Sequence, residues 1–308
     1  MRTVNKILVV GAGMMGKNIA FVLSGGDYDI TVYDVREVDL HGDIRSSVEP
    51  LISHGVVTES EVKKRLEKVA FTTNLDCHEI HEADLVIECV FEDMDLKRKT
   101  FAELEEHCRP DTIFCTNTSV MSPTEISRDM LHRERFCGTH FWNPAHLIPL
   151  VEVVKSDATD DETAETVMSV LADVGKKPVL CKKDVPGFIA NRMQHALWRE
   201  AISIVENGIA DAKTVDEAVR YSFGLRLPQL GPMENADMVG LDLTWNIHDY
   251  ILKNLEDSHR PSILLEKLKN EGKLGFKSGE GFMKWTPEET QRSAENLSEY
   301  LIRILYSK

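Results

Sequence analysis

The chain has 308 residues, of which 42% are hydrophobic and 28% charged, and its formal net charge is −15 at pH 7. This length is sufficient for two domains with separate cores, and the acidic balance argues against a nucleic-acid partner, which would favour a basic surface. No apolar run reaches the length of a membrane span, and the first predicted strand follows Met1 too closely for a signal peptide. The six cysteines lack CxxC spacing. We therefore expect a cytoplasmic protein without a membrane partner.

Strands and helices alternate over the first part of the chain. The predicted strands are residues 7–10, 30–33, 83–90, 112–116, 135–141, 150–154 and 177–181, and the predicted helices are 14–24, 94–108 and 160–173. A polar segment, about residues 43–69, is interpreted as an inserted helical hairpin broken near Gly55. Fully apolar strands are typical of a buried parallel sheet. We therefore predict an α/β domain over residues 1–184 with a doubly wound, Rossmann-type sheet, whose ligands gather at the carboxyl ends of the strands.

After this alternation the pattern becomes helical. The predicted helices are residues 188–207, 214–221, 236–255 and 286–308. Strand-like alternation is almost missing from this part of the sequence, so we predict an all-α second domain over residues 185–308.

The glycine-rich turn after the first strand is the strongest functional motif. Its residues are Gly11, Gly13, Met14, Met15 and Gly16. Gly11 allows the tight turn, Gly13 lets the backbone approach a pyrophosphate at the helix N-terminus, and Gly16 lets helix and strand pack closely. Asp34 lies eighteen residues after Gly16 (34 − 16), where a carboxylate can bind both ribose hydroxyls and repel a 2′-phosphate. The pattern predicts NAD rather than NADP as the cofactor.

Polar side chains that could do chemistry follow several predicted strands. Glu152 lies inside an apolar strand, where a charge needs a partner, and it follows His140 by twelve residues (152 − 140). Two adjacent strands can pair these residues as a carboxylate-oriented general base, with Ser119 bonded to the substrate hydroxyl. The alternatives are a structural histidine, a buried ion pair at Glu152 and a Ser/His/Glu hydrolase triad. The triad is disfavoured because no Gly-x-Ser-x-Gly elbow surrounds Ser119.

The histidines show no metal-ligand context such as HExxH. His78 and His81 are interpreted as surface residues of a polar loop or helix. We therefore expect no metal in the chemistry.

Five separated motifs resemble those of the 3-hydroxyacyl-CoA dehydrogenases, a superfamily that includes L-gulonate 3-dehydrogenase and lambda-crystallin. They are THFWNP at 139–144, LVEV at 150–153, KDVPGFIANR at 183–192, GP at 231–232 with DMVGLD at 237–242, and GFKSGEGF at 275–282. The resemblance implies NAD-dependent oxidation of the C3 hydroxyl of a 3-hydroxyacyl-CoA, as in fatty acid metabolism. It also implies an active site between the two domains and a homodimer formed through the helical domain.

The same resemblance implies a role for each matching residue. His140 would take the hydroxyl proton, Glu152 would orient it, and Ser119 and Asn191 would bind the reacting oxygen. The residues implied for the nicotinamide half are Glu92, Lys97, Ser119, Asn143 and Lys277.

Two departures from the family pattern concern the substrate. The lysine expected in the CoA-binding insert is replaced by His54, and Pro149 stands where acyl-CoA enzymes tend to have a lysine. The alternative substrate is therefore a small free hydroxy acid, as in gulonate, carnitine and pyridine-carboxylate dehydrogenases, with Arg192, Arg226 and His146 as candidate carboxylate ligands. A remote alternative is a non-catalytic, crystallin-like protein on the same scaffold.

Overall fold

The computed structural model describes residues 2–306; residues 1, 307 and 308, at the ends of the two predicted domains, lie outside the described part. The chain divides into two compact units. Unit 1 contains residues 2–190 and 296–306, and unit 2 is Asn191–Glu295. We expected the helical domain to include the C-terminal segment, but residues 296–306 belong to unit 1. The physical reason is Ile302, which is buried in the hydrophobic core of that unit.

A single sheet forms the centre of unit 1. Its strands within the described residues are β1 Lys6–Val10, β2 Asp29–Tyr33, β3 Val69–Thr72, β4 Leu85–Glu88, β5 Ile113–Thr116, β6 Phe136–Phe141, β7 Leu150–Lys155 and β8 Lys177–Cys181. The spatial order is β3-β2-β1-β4-β5-β6-β7-β8. Only β7 against β6 is antiparallel among these pairs. The predicted Rossmann-type sheet is confirmed, and all strands from β1 to β6 end at one edge.

Helices cover both faces of this sheet. They are α1 Met14–Leu23, α2 Leu40–Ser47, α3 Glu49–Ser53, α4 Glu59–Leu66, α5 His78–His81, α6 Met94–His107, α7 Pro123–Ile126 and α8 Asp161–Asp173. Alternate residues of β1 point to opposite faces. Ile7 packs in the core cluster that contains Ile19 of α1, whereas Leu8 packs in the cluster that contains Phe101 of α6. The sheet is therefore buried on both sides, which explains its near-continuous apolar strands.

The inserted segment contains α2, α3 and α4 but ends earlier than expected. We predicted helical structure up to residue 69, whereas Val69 already begins β3 and pairs with Ile30. The strand is short and only its first residue is buried, so its apolar pattern is too weak to separate it from the preceding helix.

Unit 2 is helical. Its helices are α9 Ala190–Glu206, α10 Ala212–Arg220, α11 Pro232–Val239, α12 Leu241–Ile251, α13 Ile263–Asn270 and α14 Pro287–Tyr306, of which α9 begins and α14 ends in unit 1. The single helix predicted over residues 236–255 is wrong, because Gly240 has a φ of 98° and separates α11 from α12. Helix α13 was not predicted. Across residues 2–306, helices that combine the length and the apolar character needed to cross a bilayer are not found.

Candidate active site

The glycine turn between β1 and α1 has the backbone geometry that close packing requires. Gly11 has a φ of 102°, and a Cβ there would lie 2.9 Å from the carbonyl oxygen of Cys89. A Cβ on Gly16 would lie 1.8 Å from the carbonyl oxygen of Gly11, so any side chain would separate helix and strand. Gly13 is different, because a Cβ there would have no heavy atom of the described residues within 4 Å, apart from those of the glycine itself and of its chain neighbours. Gly11 and Gly16 are thus closely packed against neighbouring backbone, whereas Gly13 leaves space at the helix N-terminus. This arrangement fits a bound pyrophosphate.

Asp34 lies beside this turn, directly after β2. Its Oδ2 accepts a hydrogen bond of 2.8 Å from the amide of Ala12, and its Oδ1 accepts one of 3.0 Å from the amide of Arg36. The guanidinium of Arg36 is largely exposed, with Nε 3.8 Å from Oδ1. The carboxylate is therefore fixed next to the glycine turn while each oxygen keeps acceptor capacity. This donor and acceptor set fits the adenosine ribose of NAD.

A buried ion pair stands at the carboxyl end of β4. Glu88 and Lys97 are both at most 1% exposed, and Nζ of Lys97 lies 2.8 Å from Oε1 of Glu88. Burial raises the pKa of Glu88, although Lys97 and the hydroxyl of Thr116 oppose that shift. Lys97 is expected from the resemblance to contact the nicotinamide, and its ammonium also lies 3.5 Å from Oε2 of Glu92. It thus links the buried sheet edge to the more exposed Glu92.

Glu92 in turn fixes the segment that follows β5. Its Oε1 accepts hydrogen bonds of 2.7 Å from the amide of Ser119 and 3.1 Å from the hydroxyl of Thr118. Asn117 accepts a hydrogen bond of 2.9 Å at Oδ1 from the amide of Phe141. These bonds tie the ends of β4, β5 and β6 together, so the structure brings Glu92, Lys97 and Ser119 into one network.

The centre of the candidate site is the pair of His140 on β6 and Glu152 on β7. The two residues are directly opposite in the antiparallel register, and Nδ1 of His140 lies 2.8 Å from Oε2 of Glu152. His140 is 4% exposed and Glu152 is fully buried. Because the carboxylate only accepts, Nδ1 carries the proton and Nε2 is the basic nitrogen.

Glu152 has three further hydrogen-bond donors, which the sequence did not reveal. The amides of Ile189 and Ala190 donate to its Oε1 at 2.9 and 3.0 Å, and Nε1 of Trp142 donates to its Oε2 at 3.3 Å. Burial alone would raise the pKa of Glu152, but the bonds from His140 and the two amides outweigh it and hold that pKa below its usual value. Glu152 is therefore ionised, and the histidine faces a fixed negative charge.

Aromatic rings enclose the histidine. The ring centroids of Trp142 and Phe188 lie 5.3 and 5.7 Å from that of His140. Phe188 is buried and has a φ of 50°, which is unusual for a non-glycine residue. The turn at Gly187 and Phe188 places the ring of Phe188 against His140. The two amides that follow this turn donate to Glu152, so one chain segment supports both members of the pair.

The other expected site residues lie in several places. Met14 is exposed at the start of α1, and Met15 is partly buried beside it. Asn143 is exposed after β6, while Asn191 and Lys277 belong to unit 2, at the start of α9 and in an exposed turn respectively. Contacts of these residues with a nicotinamide or a substrate stay predictions.

Lys176, just before β8, has a structural role that no sequence motif indicates. Its Nζ donates to the carbonyl oxygens of Ala145 and Ile148, and its burial lowers its pKa to about 8. Burial and the nearby Lys176 lower the pKa of His146 to about 4. The segment between β6 and β7 is thus held by a buried amine, a role that two consecutive lysines after a glycine do not indicate.

Polar side chains of the inserted helices form hydrogen bonds within unit 1. Arg45 donates to Glu49 at 2.6 Å and to Glu59. The hydroxyl of Ser47 donates to Oδ1 of Asn18 at 2.7 Å, and Nδ1 of His54 donates to the carbonyl oxygen of Pro50 at 2.8 Å. These polar groups already have partners within unit 1, and the charge of Arg45 is offset by two carboxylates.

Comparison with known proteins agrees with these features. Residues 6–185 match the family described as 3-hydroxyacyl-CoA dehydrogenase, NAD binding domain, and residues 187–285 match its C-terminal domain. The chain is 36% identical over 284 residues to a probable 3-hydroxybutyryl-CoA dehydrogenase of Deinococcus radiodurans, covering 91% of this chain and 100% of the relative. It is 30% identical over 304 residues to a 5-formyl-3-hydroxy-2-methylpyridine 4-carboxylate 5-dehydrogenase of Mesorhizobium japonicum, covering 98% and 97%. A crystal structure of such a dehydrogenase, an NAD+-dependent dismutase, is similar with a TM-score of 0.89 at 31% identity, covering 99% and 100%.

Proposed function

The chain belongs to the 3-hydroxyacyl-CoA dehydrogenase family of NAD-dependent oxidoreductases acting on CH–OH groups, and we propose that His140 is its general base. The observation that carries this proposal is the buried, hydrogen-bonded pair of His140 and Glu152. A purely structural histidine would not need an ionised carboxylate that is fixed by three further donors.

In the proposed reaction, Nε2 of His140 takes the proton from the substrate hydroxyl. Glu152 keeps Nδ1 protonated and stabilises the imidazolium that forms. Bound NAD would supply the acceptor for the hydride that leaves the carbon carrying the hydroxyl. Gly11, Gly13, Gly16 and Asp34 would hold its adenosine and pyrophosphate, and Glu92 would act at the nicotinamide end.

Two side chains are proposed to bind the reacting oxygen. Ser119 is positioned through its amide by Glu92, and Asn191 is assigned by resemblance alone. Lys97 is proposed to act by holding Glu92 and Glu88 rather than by touching the cofactor, because it is 1% exposed. Asn143 and Lys277 keep the nicotinamide roles that the resemblance implies.

We propose a small free hydroxy acid as the substrate. The supporting observation concerns α2 and α3 of the insert, where Arg45 is neutralised by Glu49 and Glu59 and His54 stands in place of the lysine that the family pattern implies. Phosphate groups of CoA would need an uncommitted cation there. A 3-hydroxyacyl-CoA is the second candidate, favoured by the 36% identity to the Deinococcus radiodurans relative.

The test is NADH formation by the purified chain with equal concentrations of 3-hydroxybutyryl-CoA, free 3-hydroxybutyrate, gulonate and carnitine, with His140→Gln as the blank. Turnover of a free acid with little on the thioester is expected. Turnover confined to the thioester would overturn the substrate proposal and leave the dehydrogenase assignment intact. Equal rates of the wild type and the His140→Gln variant on an active substrate would overturn the proposed base.

We also propose that unit 2 mediates a homodimer. Helices α11 and α12 expose large apolar side chains; those with the highest exposure are Met233, Met238, Leu241, Trp245 and Tyr250. Monomeric proteins rarely leave such a patch uncovered. Light scattering should give twice the chain mass for the wild type and the chain mass for Trp245→Glu. A wild type that is monomeric at micromolar concentration would contradict the proposal.

A reducing, cytoplasmic compartment is proposed from the thiols. The six cysteines are unpaired, and four of them are buried. Sγ of Cys115 and Sγ of Cys137 lie 3.6 Å apart on adjacent strands, a separation at which both remain thiols. Thiol titration of the unfolded protein isolated without reductant should count six free groups.

A further inference from the structure

A cluster of two histidines and one aspartate lies apart from the catalytic pair, where the connection between β3 and β4 meets the end of α6. Nε2 of His81 lies 2.9 Å from Oδ1 of Asp76, and Nδ1 of His107 lies 3.8 Å from the same oxygen. All three ligand atoms lie within 4.8 Å of one another. We expected His81 to be a surface residue, and its side chain is 41% exposed.

A hydrogen bond to the backbone fixes the orientation of the His81 ring. Its Nδ1 lies 2.7 Å from the backbone carbonyl oxygen of His107, and a carbonyl only accepts, so Nδ1 must carry the proton. Nε2 of the neutral ring then presents a lone pair to the cluster. Histidines that ligate metals usually donate their other N–H to a carbonyl or a carboxylate in this way.

The opposite side of the cluster is an anion. Oδ1 of Asp76 and the lone pair of Nε2 on His81 would repel each other at 2.9 Å. Something positive must therefore lie between them, either a proton on the imidazole or a metal ion. Glu82, the next residue in the chain, lies 3.8 Å from Arg109. The guanidinium of Arg109 is bound more closely by Asp84 and Asp111, at 2.6 and 3.1 Å, so its charge is committed to other carboxylates.

From this geometry we propose that Asp76, His81 and His107 form a zinc site. Zinc prefers nitrogen and oxygen ligands at about 2.0–2.2 Å in a tetrahedron, which places ligand atoms roughly 3.4 Å apart. The two separations to Oδ1, 2.9 and 3.8 Å, bracket that value. The carboxylate of Asp76 is 78% exposed, which leaves room for water as the fourth ligand.

Such an ion would join two parts of unit 1. Asp76 and His81 belong to the β3–β4 connection, whereas His107 is the last residue of α6. The hydrogen bond from His81 to the carbonyl oxygen of His107 already links these segments. A bound ion would add a second link, and it would stabilise the folded state because the separated ligands of the unfolded chain bind less tightly.

The test titrates zinc chloride into the chelator-treated full chain in competition with a chromogenic indicator. We expect one site per chain, at least tenfold weaker binding in His81→Gln and in His107→Gln, and wild-type binding in the matched control His78→Gln. At about ten times the dissociation constant, zinc should raise the Tm of the wild type and the control by about 2–4 °C.

Several results would overturn the proposal. One is wild-type zinc affinity in both His81→Gln and His107→Gln, because the ion would then bind elsewhere, for example at His140. Another is no zinc binding by the wild type below about 100 μM, a concentration at which weak surface sites already fill. If either histidine variant fails to fold, Asp76→Asn, at an exposed carboxylate, replaces it and should also lose at least tenfold in affinity.

Discussion

Replacing Glu152 by glutamine tests the core of the catalytic proposal. The carboxylate accepts four hydrogen bonds: Oε2 from His140 and Trp142, and Oε1 from the amides of Ile189 and Ala190. Glutamine keeps the size of the side chain, but one acceptor oxygen becomes a donor. Every orientation of the amide therefore sets a donor against a donor.

The two orientations have different free energies. If the new NH2 group faces Ile189 and Ala190, two backbone amides stay unsatisfied, at about 1–3 kcal/mol each. If it faces His140, the ring can change tautomer, so that Nδ1 accepts and only the bond from Trp142 is lost. The second orientation is favoured, and it puts the proton on Nε2. A histidine in that tautomer cannot accept the substrate proton, so kcat should fall by about two to four decades.

The assay is steady-state NADH formation on the best substrate, with the dissociation constant of NAD measured separately and expected to stay within about twofold, since the glycine turn is untouched. A double-mutant cycle supplies the control. Because Glu152 acts through His140, the double variant with His140→Gln should be no slower than His140→Gln alone. The reasoning is refuted if Glu152→Gln, folded by circular dichroism, retains more than about a tenth of wild-type kcat, or if the two losses add.

Four other changes test separate parts of the site. His140→Gln should lower kcat by about two to four decades with NAD affinity unchanged; near-normal turnover would remove its assignment as base. Asp34→Ala should lower the preference for NAD over NADP in kcat/KM at least about tenfold, and an unchanged ratio would contradict the ribose assignment. Lys97→Met should lower the free energy of unfolding, measured in urea, by about 3–5 kcal/mol, since it leaves the buried Glu88 without its cation. The double variant with Glu88→Gln should recover part of this loss, and no recovery would argue against a stabilising ion pair between Glu88 and Lys97. The pKa of His146 is lowered to about 4, so between pH 6.5 and 4 the unfolded chain takes up a proton that the folded chain does not. The free energy of unfolding should therefore decrease by up to about 3 kcal/mol as the pH is lowered over this interval. His146→Asn should lose less stability over the same interval, and equal losses in the two proteins would refute the lowered pKa.

Much of the fold was readable from the sequence because strong local signals agreed. The strand Ile7 to Val10, the glycine turn and Asp34 each predict the same unit, and hydrogen bonds join them as expected. The short strand at Val69 and the break at Gly240 were missed. At Val69 the apolar pattern is only four residues long, and at Gly240 a helix-compatible pattern continues across a residue whose positive φ only the folded chain reveals.

In the candidate site, too, some residues could be predicted from the sequence and others could not. Glu152 could be suspected because a charge in an apolar strand needs a partner. The amides of Ile189 and Ala190 could not, since backbone donors carry no side-chain signal. The sequence does not indicate the proposed zinc ligands Asp76 and His107 either, because they come from segments whose proximity depends on the packing of α6 against the sheet.

The antiparallel direction of β7 explains why a spacing of twelve residues brings a base and its carboxylate together. Strands β1 to β6 all end at the edge where the glycine turn and Ser119 lie, so His140, near the end of β6, is at that edge. A parallel β7 would begin at the far edge, and its third residue would pair with the third residue of β6, which is two residues, or about 7 Å along the strand, from His140 and beyond hydrogen-bond distance. Running antiparallel, β7 begins where β6 ends, and Glu152 in its third position falls opposite His140. The side-chain period of two puts both on one face, so the reversal of one strand is what makes a buried histidine–carboxylate pair possible in an otherwise parallel sheet.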